Sequence, residues 1–248
     1  MKNIQITLAY DGTDFLGWQK TAMGNSIEAT VEAALEQILQ HPIRLQAASR
    51  TDAKVHAEGQ IASFFLLKPF LSLSKLQISV NALLPKTIIV SHIQEQSLHF
   101  HPSLDALGKE YQYFLCNAAY QYPIHRNFSW HVPKSLSIEL MQQAIPHFLG
   151  THDFSAFCNH KIPPITNPIC TLSSLEIHSI EQQRLVCILR GNRFLYRMAR
   201  NIVGTLVYVG QRKIHPDAIP TVFHHKQRAQ AGITAPPHGL CLKKVFYS

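Results

Sequence analysis

No stretch of this chain is long and apolar enough to cross a bilayer: apolar runs such as residues 62–67 fall far short of the ~20 residues a membrane helix needs. The start, Met1-Lys2-Asn3-Ile4-Gln5-Ile6-Thr7, alternates polar and apolar residues and lacks the continuous apolar stretch and small-residue cleavage site of a secretion signal. A soluble, cytoplasmic protein with no membrane partner is expected. Cysteine is sparse and unpatterned: Cys116, Cys158, Cys170, Cys187 and Cys241 form no Cys-x-x-Cys pair. An odd count without a secretion signal argues for reduced thiols, against a disulfide framework or a zinc ribbon. Also missing are Gly-x-x-x-x-Gly-Lys-Ser/Thr, Gly-x-Gly-x-x-Gly, Gly-x-Ser-x-Gly and His-Glu-x-x-His, so nucleotide hydrolysis and zinc proteolysis lose support. His99 and His101 are spaced to share one strand face, yet no carboxylate or cysteine lies at ligand spacing beside them, and no metal is expected. Adjacent His224 and His225 diverge on a helix and read as surface. Acidic residues are in deficit, 15 against 23 Lys and Arg, for a formal charge of +8. That balance favours a polyanionic partner, because each phosphate contact releases counterions.

What is present is ordinary globular material, 46% hydrophobic over 248 residues, enough for one large domain or two compact halves. Alternation over 4–10 predicts a strand running into Tyr10-Asp11-Gly12. Asn25 or Ser26 then caps a helix carrying Ile27, Val31, Leu35 and Ile38. Strands near 43–49 and 59–67, a helix near 73–83 and the β-rich Thr87-Ile88-Ile89-Val90 complete a βαββαβ order. The order repeats as a strand near 109–116, a helix near 136–148, strands near 170–179 and 185–190, a helix over 196–210 and a final strand over 240–247. Met198, Ile202, Leu206 and Val209 predict a single apolar stripe on the fourth of these helices. An α+β fold follows, with two ferredoxin-like halves, antiparallel or mixed sheets facing a central cleft, and domains over 1–105 and 106–248; a single mixed sheet with extra loops would give a similar string. Connections at 118–134 and 151–168 are long, as functional loops or bare decoration would be.

One loop between two predicted strands concentrates polar chemistry: Ser49-Arg50-Thr51-Asp52-Ala53-Lys54-Val55-His56. By composition alone it reads as a tight turn in which Asp52 accepts backbone bonds and Arg50 forms a surface ion pair. It resembles, however, the Gly-Arg-Thr-Asp-Ala-Gly-Val-His signature of the TruA family of tRNA pseudouridine synthases. Further matches follow in order: Tyr10-Asp11-Gly12-Thr13 with Gly17-Trp18-Gln19, Gly59-Gln60, Asn81-Ala82-Leu83-Leu84-Pro85, Phe100-His101-Pro102 and Tyr111-Gln112-Tyr113. The second half adds Gly150-Thr151-His152-Asp153-Phe154, the run from Phe194 through Arg197 and Arg200-Asn201 to Gly204, and Pro237-His238-Gly239-Leu240. The likeness spans essentially the whole chain.

That resemblance implies the pseudouridine synthase fold and an isomerase that converts uridine to pseudouridine at positions 38, 39 and 40 of the tRNA anticodon stem-loop. It implies no cofactor, and a homodimer. It makes Asp52 the nucleophile, Tyr111 the ring stacked on the target base and Arg200 the cation paired with Asp52. The chemistry suits these types. Exchanging the glycosidic bond from N1 to C5 needs no redox agent; it needs an ionised carboxylate, which a neighbouring cation favours, and a ring to hold an extruded base. Whether the carboxylate attacks C1′, attacks C6 or removes a sugar proton stays open. By pattern alone, Tyr111 reads as a half-buried strand aromatic and Arg200 as a helix-surface cation opposite the apolar stripe. Arg50, Lys54, His56, Lys20, Lys109, Arg193, Arg197 and Leu240 are the expected RNA and substrate contacts. Ser49 and Lys54 stand where the signature has glycines, and Ser103 where an Arg commonly follows Phe-His-x; Lys54 in particular disfavours a positive φ. The rival readings are a non-catalytic tRNA-binding protein and a pseudouridine synthase for another RNA; an RNA-holding module needs only cations and stacking surfaces.

Overall fold

The computed structural model describes residues 1–22, 24–68, 72–159 and 167–248. By contacts the chain divides into two units, residues 1–107 with 241–248, and residues 108–240.

The first unit runs β1 (Lys2–Tyr10), α1 (Ile27–Leu39), β2 (Gln46–Ala47), β3 (His56–Leu66), α2 (Leu73–Leu83) and β4 (Ile88–Gln96). β1 pairs antiparallel with both β3 and β4, and β2 lies on the far side of β3, giving the order β4-β1-β3-β2. That is the ferredoxin-like arrangement the βαββαβ order predicts. The strand expected at 43–49 contracts to two paired residues, because Leu45 N and Ile43 N donate instead to the carboxylates of Glu32 and Glu36. α1 forms where Ser26 Oγ accepts from Ala29 N, and it buries Ile27, Val31 and Leu35, as β1 buries Ile4, Ile6 and Leu8.

The second unit runs β5 (Gly108–Cys116), β6 (Trp130–His131), α3 (Ile138–Ala144), β7 (Gly150–Asp153), β8 (Ile169–Ile180), β9 (Arg184–Gly191), α4 (Met198–Gly210) and α5 (Ile219–His225). Its strands are ordered β5-β9-β8-β7, antiparallel throughout, with β6 parallel beside the end of β5. The long connections are not bare: 118–134 holds a 3-10 turn at Pro123–His125 and then β6, and 151–168 holds most of β7 and a turn at Phe154–Phe157; its residues 160–166 lie outside the described set.

Two expectations are corrected. The final strand β10 (Leu240–Phe246) follows α5 in sequence, but Cys241 and Leu242 pair parallel with His56 and Ala57 of β3, so it groups with the first unit. α4 carries no exposed polar face: every residue from Met198 to Gly210 except Tyr208 is buried, because neighbouring chain covers the side opposite the Met198, Ile202, Leu206 and Val209 stripe.

All five cysteines are buried free thiols, and burial pushes Cys187 and Cys241 up to about 12. A thiol held protonated and out of reach does not attack. Titration of the native protein with an aromatic disulfide reagent is therefore expected to find no fast-reacting thiol, and five after denaturation. A native thiol reacting within seconds would contradict this packing.

Candidate active site

The loop from Ser49 to Val55 leaves the sheet between β2 and β3 and is fixed at several points. Gln60, fully buried on β3, donates through Nε2 to Ser49 O (2.6 Å) and accepts at Oε1 from Ser49 N (3.2 Å), acting as a sheet partner for the start of the loop. The Tyr10 and Thr51 hydroxyls share a buried hydrogen bond of 2.8 Å. Trp18 N donates to Thr51 O, Lys54 N to Phe15 O, and Val55 N back to Asp52 O, closing a turn over Asp52-Ala53-Lys54-Val55. Asp52 sits part-exposed at the head of that turn, with Arg50 and Lys54 exposed beside it.

Beneath the loop lies the segment after β1, and here glycine is required. A Cβ on Gly12 would stand 2.1 Å from Val55 O, and one on Gly17, whose φ is +101°, would stand 2.7 Å from Thr51 O. Backbone therefore packs on backbone with no room for a side chain. His56 belongs to this floor. It is buried, accepts at Nδ1 from Gly12 N (3.1 Å), and lies 3.2 Å from Asp11 Oδ1. Asp11 in turn accepts from Thr13 N and Thr13 Oγ1. Farther along, the Glu28 carboxylate in the first turn of α1 takes hydrogen bonds from Gln19 Nε2 and Lys20 N. Lys20 Nζ pairs with Glu32 at 3.1 Å, and that hydrogen bond raises its pKa. The motif Tyr10 to Lys20 is thus the bed on which the Asp52 loop rests.

Lys54 has φ +65°. The left-handed backbone expected of a signature glycine is retained although lysine occupies it, so the geometry survives the substitution at the cost of steric strain.

In the second unit Tyr111 lies on β5 with 6% of its surface exposed, its ring edge-on to Phe194 at 4.9 Å between centroids. It is a clamped core-edge aromatic. Arg200 is 8% exposed, which overturns the helix-surface reading; its Nε donates to Ala235 O at 2.7 Å. Two positions along β5, Tyr113 donates to Pro236 O at 2.7 Å, and burial pushes its hydroxyl well above the usual phenol range against the opposing effect of Arg200. Burial pushes the Lys109 ammonium down. Arg193 is spent on the chain itself, donating to the carbonyls of Ile169 and Asn167. Arg197 occupies the N-cap position of α4 at φ +61° without a side-chain cap bond, and its guanidinium lies 4.8 Å from the Tyr196 ring. Leu240 is buried at the start of β10. Among the described residues no group of three or more His, Cys, Asp or Glu is arranged to hold a metal ion.

Tyr10 and Gln60 fall within the sequence motifs, but nothing in the sequence pattern shows that they hold the loop. Their signal is the motif itself: two large residues with polar ends, one on β1 and one on β3, that packing alone does not explain.

The family described as tRNA pseudouridine synthase matches residues 6–105 and 144–248. tRNA pseudouridine synthase A 2 of Protochlamydia amoebophila (strain UWE25) is 45% identical over 248 residues, covering 100% of this chain and 95% of that protein. The chain belongs to the tRNA pseudouridine synthase A family. tRNA pseudouridine synthase A of Geotalea uraniireducens (strain Rf4) is 41% identical over 247 residues, covering 100% of both chains. Among solved structures, one described as the archaeal box H/ACA sRNP Nop10-Cbf5 complex aligns at TM-score 0.38 with 12% identity, over 82% of this chain and 43% of that one, too slight a likeness to bear on the fold. The tRNA pseudouridine synthase match includes Asp52 and Arg200, whereas Tyr111 falls between the two matched segments.

Relief of left-handed strain predicts that Lys54→Gly raises unfolding stability by about 1 kcal/mol in urea titrations, strain relief outweighing the added chain entropy. Gly17→Ala, with both a positive φ and a carbonyl in the way, is expected to lower it by about 2 kcal/mol or more. Equal midpoints for the three proteins would contradict the loop geometry.

Proposed function

We propose that the protein isomerises uridine to pseudouridine at positions 38, 39 and 40 of the tRNA anticodon stem-loop, with Asp52 as the catalytic carboxylate. The observation that carries the reading is the Asp52 loop: a part-exposed carboxylate at the head of a turn held by Gln60, the Tyr10–Thr51 pair and two side-chain-free backbone contacts, in a chain of the tRNA pseudouridine synthase A family. A group held that rigidly meets its substrate without reorganisation.

The reaction breaks N1–C1′, turns the freed uracil and joins C5 to C1′; the C5 proton leaves and N1 takes one up. Attack at C1′, attack at C6 and removal of a sugar proton all draw on an ionised carboxylate. Tyr111, clamped by Phe194, supplies the flat ring for an extruded base, and Arg200, a buried cation with a fixed Nε, supplies the charge that keeps the nucleophile ionised. The exposed Arg50, Lys54 and Lys20 suit phosphate contacts. Lys109, Arg197, His56 and Leu240 are further candidates for contacting the RNA or substrate, whereas Arg193 already donates to the carbonyls of Ile169 and Asn167. The chain works as a homodimer in the cytoplasm, without metal or cofactor; no helix of the described residues is long and apolar enough to cross a membrane.

Incubation with unmodified tRNA tritiated at uridine C5, in buffer without added cofactor, is expected to release tritium. Transcripts keeping a single anticodon-arm uridine should release it only when that uridine stands at 38, 39 or 40, and sedimentation should find two chains per particle. tRNA binding without tritium release would replace the enzyme by an RNA-holding module. Release from other RNA alone would reassign the substrate.

A further inference from the structure

Residues 231–236 run across α4 as a strap, and they are pinned to it residue by residue. Gly232 N donates to Thr205 Oγ1 (2.9 Å), Thr234 Oγ1 to Asn201 Oδ1 (2.7 Å) and Ala235 N to Arg200 O (3.1 Å), while Pro236 O accepts from Tyr113 (2.7 Å). The approach is close enough that a Cβ on Gly204 of α4 would stand 1.7 Å from Ile233 O. The strap has one consequence for the reaction centre: its Ala235 carbonyl is the acceptor that fixes Arg200 Nε.

One cation organises the strap from outside it. Arg228, half-buried in the short turn after α5, donates through Nη1 to Gly232 O (2.6 Å) and through Nη2 to both Asn201 Oδ1 and Thr234 Oγ1 (2.9 Å each). Asn201, so held, anchors on through Nδ2 to Phe157 O (2.8 Å) and Asn159 Oδ1 (3.0 Å). A planar guanidinium fork thus joins the strap's backbone, the strap's side chain and the residue next to Arg200 in one rigid unit. A lysine has no fork and reaches at most part of that geometry.

We propose that Arg228 is a positioning residue for the isomerisation: through Asn201, Thr234 and Gly232 it holds the strap that sets the Arg200 guanidinium, and it touches neither substrate nor phosphate. This rests on the reading of Arg200 as a catalytic cation. Neither the family signature nor the charge pattern singles out Arg228, which in sequence stands in an unremarked Lys-Gln-Arg run, 226–228.

The test compares wild type, Arg228→Lys, Thr234→Val and, as a control on the same turn, Gln230→Ala, by single-turnover tritium release at saturating protein, by tRNA affinity in a filter assay and by circular dichroism. Arg228→Lys keeps the charge but not the fork; it is expected to fold, to bind tRNA within about threefold of wild type and to lose roughly ten- to a hundredfold in rate, the scale of a small misplacement of a catalytic group. Thr234→Val should fall in the same direction by a smaller factor, and Gln230→Ala should match wild type. Should Arg228→Lys fail to fold, the same rate-only loss in Thr234→Val carries the proposal. Wild-type rates in both Arg228→Lys and Thr234→Val would overturn it, as would a loss of affinity equal to the loss of rate, which marks an RNA contact instead. Failure of the wild type itself to release tritium would instead sink the reading of the site, so the two failures are distinguishable.

Discussion

The first unit depends on a contact with no side chains in it. Between β1 and α1 the backbone at Gly12 and Gly17 lies directly under the backbone of Thr51 to Val55, at separations a single Cβ would abolish. Packing of this kind is stiff, because neither surface can change rotamer to relieve a shift. Around it are arranged hydrogen bonds that would each contribute about 1 kcal/mol net in isolation. They come from Gln60 to Ser49, Tyr10 to Thr51, and Trp18 and Lys54 to loop and bed. Their joint effect exceeds any one of them: they determine where a carboxylate stands. The acidic residues at the start of α1 extend the same logic outward, since Glu28 and Glu32 are buried yet satisfied by the chain segments they tie down.

The second unit reaches a similar end by different means. There a helix that would ordinarily show solvent one polar face is buried nearly all round, and its polar residues are consumed internally. Arg200, Asn201 and Thr205 each bond to the strap at 231–236, and the Ala235 carbonyl fixes the Arg200 Nε. A buried cation is costly unless its donors are met. The strap meets one donor of Arg200 through the Ala235 carbonyl, and Arg228 in turn bonds to the strap at Gly232 and Thr234.

Much of this was legible from the residues. Period-2 and period-3.6 patterns locate β1, α1, α2, β5, β8, β9 and α4, because apolar residues recur there at strand or helix spacing. The loop carrying Asp52 was visible as a family signature. Three things were not. β10 joins the first unit through pairing with His56 and Ala57, a long-range choice that local pattern does not encode. Lys54 keeps a left-handed backbone against its own preference because the surrounding contacts over-determine the turn. Arg200 lies where the periodicity of α4 predicts solvent, since a sequence shows which face of a helix is apolar but not what later chain comes back to cover the other.

The central claim is that Asp52, placed by the bed beneath it, performs the chemistry rather than merely completing a turn. The most direct measurement is the single-turnover rate and tRNA affinity of Asp52→Asn, an exchange that keeps the size and hydrogen-bonding reach of the side chain and removes its charge. The account predicts a loss of about a thousandfold or more in tritium release with affinity changed by no more than a few-fold. A variant that binds tRNA normally and releases tritium within about tenfold of the wild-type rate would contradict it.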